Sequence, residues 1–131
     1  MMSSGKPTTK DAELLIKLYE IGHSTEMKKK YTWALMLEEK TYFEMIEKYP
    51  MGSDGWINFI TIGGYYELCG TLLKNKVINA QLLLELQGTL WEIMGPLIIG
   101  FREAMGSDRI FSNYEWYANR REEWVKEQEE E

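Results

Sequence analysis

The chain of 131 residues is poor in several residue types at once, and each shortage removes a class of function. A single cysteine, Cys69, can close no intramolecular disulfide, and a thiolate metal site would lack partners, so a reducing, cytoplasmic compartment is the default. A single histidine, His23, lies between Gly22 and Ser24 in an expected turn, which leaves acid–base and metal chemistry without its commonest side chain. Valine occurs twice against fourteen leucines, no alternating stretch persists, and no Asn-Gly dipeptide occurs, so strands have little support. Basic charge is also short: 15 Lys and Arg against 21 Asp and Glu give a net charge of -6 and a pI near 4.9. Such a chain repels phosphate backbones, and the one basic run, Lys28-Lys29-Lys30, reads as a solvated helix face rather than a nucleic-acid contact.

What is present is a helix-forming, Leu-rich and Met-rich chain with 13% aromatic residues. Charge divides it into thirds. Residues 1–52 carry eight acids and eight lysines, residues 53–100 only four acids and two lysines, and residues 101–131 nine acids and five bases. The middle is therefore the expected core and the ends its solvated wrapping. Asn58, Gly63-Gly64, Glu67, Asn79, Gln81 and Gln87 would be costly in hydrocarbon, so the middle third reads as a buried hairpin rather than a membrane one.

Local signals set the expected elements. A first helix starts near Thr9, buries Leu14, Leu15, Leu18, Tyr19 and Ile21, and stops at Gly22. Ser24 caps a second helix, with a break near Lys40, and Thr41 with Glu44 caps its continuation up to Pro50. Asp54 begins a long helix that closes at Lys74-Asn75-Lys76. Asn79 caps the next, which runs to Gly106 with a bend at Pro96. Ser112 and Glu115 have capping-box spacing for a last helix. The predicted fold is thus all-α: a small bundle of about five helices around a central antiparallel apolar hairpin, about 54–74 and 80–105. Residues 1–9 are expected to be a disordered polar tail, 10–126 a single helical domain and 127–131 a frayed acidic tail.

Antiparallel neighbours can be paired by counting outward from their turn. A turn near Val77 sets Glu67 opposite Gln87, and Trp91 opposite Gly63-Gly64, where absent side chains leave a socket for the indole. A turn near Asp108 sets Arg102 opposite Tyr114 and Glu115, predicting an Arg102–Glu115 ion pair. Glu67, Trp91, Arg102 and Glu115 together form the candidate polar network, either structural or fixing a ligand. Glu67 is the carboxylate in need of a donor, with Trp91 Nε1 or Gln87 in reach.

The stretch Tyr66-Glu67-Leu68-Cys69-Gly70-Thr71-Leu72, with Trp91, Leu97 after Pro96, Arg102 and the 111–116 run FSNYEW, resembles a family of uncharacterised prokaryotic helical proteins described only as a domain of unknown function. The resemblance spans about residues 12 to 120 and implies an all-helical domain with no assigned activity.

No catalytic constellation can be assembled. Cys69 has no adjacent histidine, and Glu67, Glu85 and Glu92 lack the Glu-x-x-His pattern of a helical di-iron site, so neither metal nor cofactor is expected. The leading expectation is a protein–protein interaction or self-association module, as a homodimer, with Trp33, Tyr42, Trp116 and Trp124 as interface candidates. The alternative is a binder of a small apolar ligand between the central helices. Nucleic acid and membrane partners are not expected.

Overall fold

Side-chain oxygens start five helices. A computed structural model describes residues 5–130, and the outermost residues of both expected tails, 1–4 and 131, lie outside that range. Thr8 caps α1 (Thr9–Gly22), Ser24 caps α2 (Thr25–Leu35), Thr41 caps α3 (Tyr42–Lys48), Ser53 caps α4 (Asp54–Lys74) and Asn79 caps α5 (Ala80–Leu86). In each case the oxygen accepts an amide that has no partner inside the helix. Two further helices, α6 (Trp91–Met105) and α7 (Ser112–Glu129), start instead from residues in left-handed backbone, Leu90 and Phe111, whose side chains make no capping bond. Among the described residues there are seven helices and no strand.

The fold is all-helical as expected, but its centre is not the expected hairpin. The stretch 80–105 is two helices bent by 103° at residues 87–90, and α4 packs most extensively on α7. The bend does not fall at Pro96, which sits inside α6. Residues 87–90 belong to neither helix. Gln87 bonds to Tyr65 and Cys69, and the Thr89 carbonyl accepts the Tyr114 hydroxyl.

The α4–α7 pair runs parallel. Gly63 meets Phe111, Glu67 meets Tyr114 and Gly70 meets Tyr117, a near-constant offset of 47 residues, whereas antiparallel helices would keep a constant sum. The core lies between these two helices and α2, α3 and α6. Phe59, Ile62, Cys69, Leu83, Met94, Leu97, Ile98, Tyr114 and Tyr117 are all fully buried in it.

Burial corrects several smaller expectations. Tyr19 and Ile21 are about half exposed, and α1 buries only Leu18 and Gly22. The C-terminal helix is assigned through Glu129. Ahead of α1, the Gly5 carbonyl accepts Asn79 Nδ2 at 2.8 Å, and the Thr8 N–H donates to Asp11 Oδ2 at 2.8 Å. No single helix among the described residues is long and apolar enough to cross a membrane.

Candidate functional site

The predicted polar residues converge on one place, the N-terminus of α7. Arg102 reaches it from the last turn of α6. Its Nη1 pairs with Glu115 Oε1 at 2.6 Å, its Nε donates to the Ile110 carbonyl at 2.7 Å, and its Nη2 donates to the Phe111 carbonyl at 3.2 Å. The guanidinium thus holds both the turn before α7 and its first carboxylate, using the fork geometry that distinguishes arginine from lysine. The Ser112–Glu115 capping box does not form: the helix starts one residue earlier, with Phe111 in the N-cap position at φ 55° and the Glu115 N–H donating to its carbonyl.

Glu67 supplies the missing cap from another helix. Its Oε1 accepts the backbone N–H of Tyr114 at 3.0 Å, the third amide of α7. A carboxylate there also sits at the positive end of the helix dipole. One turn on, the Thr71 hydroxyl accepts Asn113 Nδ2 at 3.0 Å and donates to the Glu67 carbonyl at 2.8 Å. Gly70 lies between them, and any Cβ there would collide with the backbone carbonyl of Asn113. The Glu67-x-x-Gly70-Thr71 motif is therefore a seat for the start of α7: an acceptor, a gap and a second polar contact.

The glycine pair is a socket, but for a different ring. A Cβ on Gly63 would lie 2.6 Å from the Phe111 ring, while a Cβ on Gly64 would meet nothing within 4 Å. Trp91 packs instead over Gly95 of its own helix and edge-on against Tyr114, with centroids 4.9 Å apart. It makes no hydrogen bond to Glu67. Counting outward from the nearby turn located Arg102 and Glu115, and the same procedure misplaced Trp91 because the hairpin it assumed is broken at 87–90.

Beneath this seat lies a cluster that sequence reasoning did not assemble. Tyr66 stacks on Tyr114 at 4.9 Å and faces Tyr31 and Tyr117, and burial raises the hydroxyl pKa of all four, that of Tyr31 to about 12. Tyr65 donates to Gln87 Oε1 at 2.9 Å, or to the Leu18 carbonyl at 3.0 Å, and Gln87 Nε2 donates to Cys69 Sγ at 3.2 Å. Burial pushes the Cys69 thiol up to about 11, so it stays protonated and unreactive. The spacing Tyr65, Tyr66, Cys69 put these groups on one side of α4, but their partners on α2, α5 and α7 are too distant in sequence for any local signal.

The four interface candidates separate. Tyr42 is buried between Phe59 and Phe101 and belongs to the core, which corrects its assignment to a surface. Trp33 is half-buried edge-on to Tyr49, Trp116 is half-buried against the core, and Trp124 is half-buried with its Nε1 donating to Gln81 at 2.9 Å. His23 is exposed and stacks on Tyr19, with ring centroids 3.9 Å apart.

The Glu67, Arg102 and Glu115 groups are thus consumed by protein partners. A shallow groove of about 340 Å³ reaches Trp91 together with Thr89, Arg121 and Val125, but none of those three polar residues lines it. Neither the curated proteins nor the solved structures contain a match to the chain. The family described as "Domain of unknown function (DUF4760)" matches residues 7–121, which takes in every helix down to this seat at the start of α7, and the chain belongs to that family.

Proposed function

We propose that this domain is a self-association module, and that the outer face of α1 is where a second copy binds. One observation carries the reading: α1 exposes large apolar side chains, Ile16 and Tyr19, on a flank outside the face that packs on the core. Of its fourteen residues only Leu18 and Gly22 are buried, while Ile16 is 58% and Tyr19 48% exposed. At 100° per residue, Ala12, Ile16, Tyr19 and His23 share one face, about 115° from the face formed by Leu14, Leu15, Leu18 and Gly22. A helix packed on one side ordinarily carries polar residues opposite, so a second apolar stripe marks a partner surface.

Charge favours a copy of the same chain as that partner. Lys10, Glu13, Lys17 and Glu20 form a neighbouring exposed stripe along α1. In an antiparallel two-fold pairing centred on residue 15, Glu13 of one copy faces Lys17 of the other, and the same register sets Lys10 against Glu20. A two-fold interface needs this kind of self-complementarity. One 14-residue helix offers a small contact, so the association is weak and concentration-dependent. A cytoplasmic setting suits the lone buried thiol.

Light scattering over a wide concentration range tests this. The mass rises from one chain toward two with concentration, and Ile16→Asp holds it at one chain without changing the helical spectrum. Lys17→Glu weakens the dimer, and adding Glu13→Lys restores it. One chain mass at every concentration, or a dimer indifferent to Ile16→Asp, overturns the proposal.

A further inference from the structure

Helix α1 has a second open flank, on the other side of its core-facing strip from Ile16 and Tyr19. It borders a groove of about 350 Å³ against the turn between α4 and α5, lined by Lys10, Glu13, Leu14, Lys17 and Val77. Two bonds hold the walls together: the Asn79 N–H donates to Asp11 Oδ1, and Asn79 Nδ2 donates to the Gly5 carbonyl, each at 2.8 Å. Most of the open surface in the groove is apolar. Leu14 is half-buried, and Val77 at the turn is 52% exposed.

The rim is basic although the chain is acidic. Lys10 and Lys17 line the groove, Lys76 is joined to Val77, Lys74 ends α4, and Lys6 follows the Gly5 that is tied to Asn79. All five are exposed, and none makes an ion pair among the described residues. Glu13 lies three residues from Lys10 and four from Lys17, spacings at which helical ion pairs form, yet it pairs with neither. A third of the 15 basic residues in a chain of net charge -6 thus gather unneutralised around one apolar groove. Lys76 adds an independent sign. It holds φ 60°, a conformation that glycine takes without strain, so an ammonium is kept at this corner at a cost in stability.

We propose that the groove binds a medium-chain alkyl carboxylate, its chain laid on Leu14 and Val77 and its head held by the lysines of the rim. The chain covers apolar surface that a bare anion would leave wet, and the carboxylate accepts from ammonium groups that a hydrocarbon or an alcohol would leave without countercharge. A small concave groove takes one such chain rather than the face of a bilayer. The site does not rest on self-association, because the residues that bring two copies together lie on the opposite flank of α1.

The test is an amide-shift titration of the full chain, at a concentration where it is a single chain, with sodium octanoate, and with octanol, octylammonium and acetate for comparison. Saturable shifts from octanoate at residues 10–17 and 74–79 are expected, with binding at least about tenfold tighter than that of octanol or acetate and no shift there from octylammonium. Decanoate binds severalfold more tightly than octanoate. Val77→Asp, at an exposed position, abolishes binding without changing the helical spectrum. Lys10→Ala and Lys76→Gly each weaken it severalfold, and Lys76→Gly does so while raising Tm, a split that a merely structural lysine would not give. Ile16→Asp, which cannot pair, binds octanoate as the unmodified chain does, so failure of one reading leaves the other standing. Equal binding of octanoate and octanol, shifts elsewhere, no saturation in the millimolar range, or full affinity in Val77→Asp overturns the assignment. So does sedimentation with anionic phosphatidylglycerol vesicles by a chain that ignores free octanoate, which would make the rim a membrane contact.

Discussion

Asp11 illustrates how much one side chain near a helix start can join. Its Oδ2 accepts the Thr8 N–H at 2.8 Å and the Thr8 hydroxyl at 3.0 Å, and its Oδ1 accepts the Asn79 N–H at 2.8 Å, tying α1 to the cap of α5. The Thr8 backbone bond chiefly, then the Thr8 hydroxyl and the Asn79 amide, hold the carboxyl below its ordinary 3.8 against the opposing effect of desolvation. A carboxyl depressed in the folded state stabilises the fold above its unfolded value, and that contribution disappears as pH falls through the folded one. Melting the wild type and Asp11→Asn across pH 2.5 to 7 should therefore show a constant gap in Tm down to about pH 4, closing below it. A gap that widened toward low pH would contradict these contacts. Lys76 is a second single-residue case. It ends α4 with φ 60°, where the Val77 N–H reaches the Leu72 carbonyl and its own N–H reaches that of Leu73, a turn usually served by glycine. Lys76→Gly should raise stability by about 0.5–1 kcal/mol in urea unfolding, by removing the strain of a side chain in left-handed backbone.

Among the elements, α7 depends most on its neighbours. Its N-cap residue offers no side-chain oxygen, so Glu67 from α4 and Arg102 from α6 do that work. Glu67→Ala should cost about 1–2 kcal/mol, the range for a lost cap, and Glu67→Gln clearly less because its carbonyl oxygen can still accept the Tyr114 amide. The two glycines of α4 make a sharper comparison. Gly70→Ala drives a methyl into the Asn113 backbone and should cost about 3 kcal/mol, whereas Gly64→Ala, in open space on the same helix, should gain up to about 1 kcal/mol. Equal effects of the two in chemical denaturation would mean that α7 does not lie against Gly70. The sequence makes one of these features readable and hides the other. Thr41, Ser24, Asn79, Gly22 and Gly106 are legible boundaries because capping is decided within a few residues, and Arg102–Glu115 was within reach of counting because one short turn separates them. The break at 87–90 was not, since Leu82 to Leu97 keep a helical apolar pattern across it and the groups bonded to the break, Tyr65, Cys69 and Tyr114, come from other segments. The parallel seating of α7 on α4 was hidden for the same reason: pairing residues 47 apart leaves no mark on local periodicity.

For the whole molecule, the buried tyrosine and cysteine cluster makes opening measurable. Cys69 is fully enclosed and its thiol is pushed up to about 11, so at pH 8 only about one molecule in a thousand would carry the thiolate even if it were accessible. Alkylation of the native chain should be at least about a hundredfold slower than in urea, and Gly70→Ala, by loosening α7, should speed it while Gly64→Ala should not. Rapid labelling of the unmodified native chain would place Cys69 outside the core. The same dependence has a temporal side. Helix α4 is made well before α7, and the groove that Gly63 and Gly70 cut along it is shaped to fit Phe111 and Asn113. Domains fold as units during synthesis, and here the unit is incomplete until the last helix arrives. A chain that stops before Phe111 therefore lacks both the group that pairs with Glu67 and the groups that fill the gaps at Gly63 and Gly70, so the order in which the helices are made puts completion of the fold at the very end of synthesis.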